Sequence, residues 1–200
     1  MRGPGNQKIR YRSVGSGRRV LLEQIRLILV LFFTGCVMLA LETTVCSRIP
    51  VFLPGMSPRI VYGTPALGLL FSMAVGFLYG EREGGITGMM AGWLTDAVSA
   101  DAAVYGMMVL PILYFLCGYM SGTVGRRRLA HNLPSFLVFA TVGGGTKCLF
   151  SIGQAYLSSG AAPPLPWILG GILPSLILTV IFSAPLYLIV RGERKIIEPK

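Results

Sequence analysis

GGITGMMAGWLTDAV, residues 84–98, decides how this chain is to be read. Gly84, Gly88 and Gly92 stand four apart, and Asp96 takes the next place in the row. A helix brings positions i, i+4 and i+8 onto one slowly drifting face, so a bare glycine strip leads straight to a carboxylate. In water this would be a poor helix with an ordinary surface acid. In a bilayer it is a packing face that carries an expensive charge.

Composition decides for the bilayer. Hydrophobic residues make up 53% of the 200 and charged residues 13%. The mean hydropathy is +0.67, outside the range of soluble domains. Apolar stretches of about 20 residues, enough to cross a hydrocarbon core of roughly 30 Å, recur along the chain. An all-α membrane protein with six transmembrane helices in one compact bundle is expected. The expected spans are Val20 to Leu41, Ile60 to Gly80, Gly85 to Ala100, Ala102 to Gly122, Leu133 to Leu157 and Pro166 to Val190, the third being short. Residues 1–19 then form a basic, glycine-rich, disordered tail, residues 20–190 the membrane domain, and residues 191–200 a short basic tail.

The basic residues set the orientation. Counting Arg26 near the start of the first span, fifteen of the 18 Lys and Arg fall on the side that holds both termini, whereas only Arg48 and Arg59 fall on the other and Lys147 lies deep within a span. The positive-inside rule places both termini in the cytoplasm. A net charge of +10 thus reflects topology and attraction to anionic lipid, not nucleic-acid binding. The first span is too long for a signal-peptide core and reads as an uncleaved anchor. Cys36, Cys117 and Cys148 fall within helices and Cys46 near the outer surface, which makes no disulfide framework or metal-ligand spacing.

Catalytic constellations are missing from the sequence. The single histidine, His131, sits in a cytoplasmic loop, so there is no H-E-x-x-H zinc site and no membrane-embedded imidazole base. Gly143 to Gly145 are followed by no G-K-[ST] and read as a close-packing patch. The eight acids are dispersed, with no paired-carboxylate site. No enzyme, no cofactor and no metal are expected.

Helices in a membrane associate through close backbone approach, because lipid tails are as apolar as leucine. Small-residue rows recur: Ser72, Gly76 and Gly80 on the second helix, Gly84, Gly88 and Gly92 on the third, Gly118 and Gly122 on the fourth. Most of these rows would build the fold itself, and Gly84, Gly88, Gly92, Gly118 and Gly122 are the candidate packing or partner face. Asp96 and Lys147 are the buried charges, each roughly 16–20 Å deep in its helix at 1.5 Å per residue. Equal depth allows the two to pair. The bland alternative puts Asp96 in headgroup water and lets Lys147 snorkel. Glu42, near the outer end of the first helix, is expected at the interface and not as a partner.

The stretch from Arg59 to Gly122 resembles the rod shape-determining protein MreD family of bacterial inner-membrane proteins. The likeness lies in an apolar helix after Pro58-Arg59, a short charged turn (Glu81, Arg82, Glu83) and the glycine-spaced segment ending in Leu94-Thr95-Asp96. Tyr105-Gly106 and a helix closing on Gly118 to Gly122 complete it. The last two helices match only in kind, and the long arginine-rich tail and Lys147 are not features expected of the family.

This resemblance implies a non-enzymatic component of the cell-elongation machinery for peptidoglycan synthesis. It would assemble with the bitopic protein MreC and, through it, with the MreB filament and the lateral-wall synthases. The family is also similar in fold to the substrate-binding S components of energy-coupling-factor vitamin transporters. A vitamin-capturing transporter subunit is therefore the alternative, although the uncharged 5–6 connection (SSGAAPPLP) and the sparse polar and aromatic groups of the outer loops speak against it. Fold likeness alone does not decide between them.

Overall fold

A computed structural model describes residues 15–44, 50–51, 61–62, 64–98, 109–127 and 132–197. The N-terminal tail to residue 14 and Cys46, Arg48, Pro58, Arg59, Asp101, Tyr105, Gly106 and His131 lie outside the described residues.

Helix α1 (Gly15–Thr44) is followed by a two-residue antiparallel pairing of β1 (Pro50–Val51) with β2 (Val61–Tyr62). Then come α2 (Leu67–Tyr79), α3 (Glu81–Val98), α4 (Val109–Arg127) and α5 (Leu133–Ser159). The last element opens as α6 (Leu165–Trp167), passes through a π-helical stretch (Ile168–Ile172) and continues as α7 (Leu173–Ile197). The described residues are thus essentially all-helical. The π stretch coincides with Gly170-Gly171, where poor helix formers make an irregular ladder inexpensive.

Helix α2 is the axis. Leu67 to Leu78 are buried without exception, and α1, α3, α4, α5 and α7 all pack on it. A helix that is apolar all round belongs in an interior. Its core partners include Tyr114, Phe136, Leu186, Tyr187 and Val190. Phe77 meets Phe136 and Tyr187 at centroid distances of 5.9 and 6.2 Å, which ties α5 and α7 to the axis.

The boundaries differ from the six expected spans in instructive ways. Among the described residues, two helices are long and apolar enough to cross a membrane, Leu133–Ser159 and Leu165–Gly192, whereas Ile28–Thr44, Leu67–Tyr79 and Val109–Gly125 are shorter apolar helices. The second is cut to 13 residues because Pro65 and Gly80 bound it. Gly80 has φ +138°, a conformation open to glycine, and reverses the chain in one residue. The charged turn expected at Glu81, Arg82 and Glu83 is instead the first turn of α3, where two carboxylates suit the positive end of the helix dipole.

Candidate functional site

The glycine rows meet one another inside the molecule. Helices α3 and α4 run antiparallel, and their close contacts follow a steady register: Gly92 against Pro111, Gly88 against Tyr114, Gly84 against Gly118, and Glu81 against Gly122. Gly76 of α2 joins at Gly84 and Gly118, so three backbones from three helices touch. A Cβ on Gly84 would come to 2.6 Å from the Gly118 carbonyl oxygen, and one on Gly88 to 2.6 Å from the Tyr114 carbonyl carbon. Both separations are closer than a real side chain tolerates, and the neighbours are backbone. Buried Ser121 adds a hydrogen bond from its Oγ to the Met73 carbonyl at 2.8 Å, fastening α4 to α2. Gly84, Gly88, Gly92, Gly118 and Gly122 are all buried in this seam. The rows therefore face the chain's own helices and leave no bare strip for a partner helix.

Beyond the seam, five helices converge on a polar cluster. Glu42 of α1, Lys147 of α5, Tyr114 of α4, Thr95 of α3 and the Gly68 N–H of α2 form it. Lys147 Nζ lies 3.5 Å from Glu42 Oε1. It also sits 5.9 Å from the centroid of the Tyr114 ring, at the outer limit of cation–π distance. The Tyr114 hydroxyl is buried on the side of Lys147 and Thr95, with no hydrogen bond among the described residues. Glu42 Oε2 accepts the Gly68 N–H at 3.0 Å.

That last contact solves a local problem. The first turn of a helix carries N–H groups without intrahelical partners, and the start of α2 is buried with an alanine at its N-cap. The chain brings acceptors from elsewhere. Glu42 takes Gly68, Thr179 Oγ1 takes the Ala66 N–H at 3.1 Å, and Ser175 Oγ takes the Thr64 N–H at 3.1 Å. A carboxylate here is held both by the positive end of α2 and by the ammonium of Lys147.

This geometry answers the open question of the partner of Lys147 and corrects the expectation for Glu42. Lys147 pairs with Glu42, not with Asp96. Glu42, expected at the interface, is buried at 7% exposure, because its apolar neighbours and the α2 N-terminus draw it inward. Asp96 lies in the last turns of α3, one position past Thr95. It is half-buried, and its Oδ2 is enclosed without a hydrogen-bond partner among the described residues. Sequence reasoning missed Glu42 because a carboxylate directly after Leu41, at the hydrophobic limit of the expected span, looks like a boundary marker. The signal that could have found it was the start of α2, whose Pro65-Ala66-Leu67 offers no side-chain cap.

A third feature is a groove between α1 and α3, floored by Phe71 of α2, with a volume of about 310 Å³. Its walls are apolar along most of their length, with Arg82, Glu83 and Thr87 gathered at one end. Outward from the seam, Ile86, Met89 and Trp93 of α3 and Ile112, Leu116 and Met120 of α4 are exposed. Such a surface is costly in water and at home in lipid. No protein-family model, curated protein or solved structure matches the chain.

Proposed function

We propose that this chain is a non-enzymatic integral component of the bacterial cell-elongation machinery, of the MreD type, acting as an adaptor in peptidoglycan synthesis. The observation that carries this reading is the unit α2–α3–α4. Its three helices are joined glycine to glycine, and they are built from the stretch that resembles the MreD family. An adaptor needs a rigid frame with free outer faces, and backbone-to-backbone packing supplies rigidity without spending the exterior.

In this reading the chain crosses the inner membrane six times with both termini in the cytoplasm. The shortness of α2 is no obstacle, since a helix enclosed by protein need not match the hydrocarbon thickness. The exposed apolar faces of α3 and α4 offer the single transmembrane helix of MreC a surface, and MreC in turn reaches the MreB filament and the lateral-wall synthases. The basic cytoplasmic rim leans on anionic lipid.

Depletion in the rod-shaped host tests this directly. Cells should become round, and affinity purification should recover a bitopic coiled-coil protein. Normal cell shape on depletion, together with a vitamin-like compound bound to the purified chain, would replace the adaptor by the transporter subunit.

A further inference from the structure

The groove between α1 and α3 has a chemical polarity along its length. On α3 its wall begins with Arg82 and Glu83, passes Ile86, Thr87, Met90 and Ala91, and ends at Leu94. On α1 it runs from Ile28 to Leu39. The α3 wall covers 12 residue steps and the α1 wall 11, about 16–18 Å at 1.5 Å per residue, against about 15 Å for one leaflet of hydrocarbon. The charged end is the end that the positive-inside rule assigns to the cytoplasm.

We propose that this groove binds one phospholipid of the inner leaflet whose zwitterionic headgroup carries a primary ammonium. Its phosphate sits on Arg82, its ammonium on Glu83, and one acyl chain lies along the groove toward Leu39 and Leu94. Charge complementarity selects this occupant. A cation and an anion stand side by side at the mouth, so a purely anionic headgroup would meet Glu83 as well as Arg82. A primary ammonium donates hydrogen bonds to the Glu83 carboxylate, which a quaternary ammonium cannot. The inference rests on the membrane embedding proposed above.

The test uses the full chain in phosphatidylcholine–phosphatidylglycerol vesicles containing a trace of phosphatidylethanolamine with a diazirine in its acyl chain. Photolabelling mapped by mass spectrometry should favour Leu31, Ile86 and Met90 over the outer face of α4 (Ile112, Met120) by about fivefold. Unlabelled phosphatidylethanolamine should compete, and added phosphatidylcholine should not. Arg82→Gln and Glu83→Gln should each lower groove labelling about threefold, the range of a partly exposed ion pair, while labelling of α4 stays constant. Met90→Trp should block the groove sterically. Unchanged labelling of α4 and an unchanged elution volume show that each variant is folded. Equal labelling of groove and α4, equal competition by phosphatidylcholine, or indifference to all three substitutions would overturn the site. So would a protein helix, not lipid, cross-linked at Met90 in cells. Absence of label at both α4 and the groove would instead overturn the membrane embedding itself.

Discussion

Glu42 holds Lys147 from across the bundle, Oε1 to Nζ at 3.5 Å, while its other oxygen accepts the Gly68 N–H at 3.0 Å. One carboxylate thus serves α1, α2 and α5 at once. The two duties differ in kind: the first needs a charge, the second needs an acceptor.

Substitutions can separate these duties. Lys147→Met leaves a carboxylate buried without its cation, which costs about 3–5 kcal/mol in comparable pairs. Glu42→Gln keeps an acceptor for Gly68 and leaves Lys147, whose side chain is 23% exposed, able to reach polar surroundings, so it should cost less. The double variant should be more stable than the sum of the singles, with a coupling of about 1–3 kcal/mol. A charge swap should fail. Lysine at position 42 would turn its cation toward the N-terminus of α2 and offer nothing to the Gly68 N–H. Unfolding followed in detergent checks all four, and a swap that restores stability would show that the helix cap is irrelevant.

Much of this was legible in the sequence, and the limit is physical. Glycine spacing at Gly84, Gly88 and Gly92 announces close approach, because the period of a helix is fixed. The approach to Gly118 and Gly122 follows once α3 and α4 are antiparallel neighbours. Lys147 announces a buried charge by its type and depth. Its partner was not legible, since Glu42 and Lys147 are far apart in sequence and meet only through the packing of α1 and α5 around α2. Nor was the burial of α2, whose shortness matters only once its neighbours are known. Local rules read faces, whereas which face meets which is set by the whole bundle.

The seam should tolerate no side chain. Gly84→Leu or Gly118→Leu places atoms where the backbone of a neighbouring helix lies, beyond the about 1–3 kcal/mol of ordinary overpacking. Loss of folded yield in membranes is expected for both. Gly145→Ala and Gly153→Ala meet nothing within 4 Å. They should be neutral or slightly stabilising, as alanine is the better helix former by about 1 kcal/mol. Equal yields for the two classes would show that α3 and α4 are not apposed as described.

Topology is open to reporter fusions. Fifteen of the 18 basic residues fall on one side of the expected spans, so fusions after Arg128 and Arg194 should be active only with a cytoplasmic reporter. An exported-type signal at either site would contradict six crossings with cytoplasmic termini. The test bears on α1–α4 in particular, where the helices are shorter or more charged than α5 and α7.

Asp96 closes the glycine row and has the weakest structural reason to be there. Its Oδ2 is enclosed without a partner among the described residues. It also stands in the last turns of α3, where a negative charge opposes the helix dipole. An unsatisfied carboxylate oxygen costs about 1–3 kcal/mol or more. Asp96→Asn removes the charge and nearly preserves the shape, so it should leave the fold as stable or raise its stability by about 1 kcal/mol. A residue that costs stability is a candidate for a functional role, and the proposed adaptor function is the one to examine. Thermal unfolding in detergent gives the first half of the answer. Complementation of a depleted rod-shaped strain gives the second. Stability kept and rod shape lost would mark Asp96 as functional. Marked destabilisation would mean that the carboxylate has a structural partner after all, and the row that begins at Gly84 would then end in a packing device.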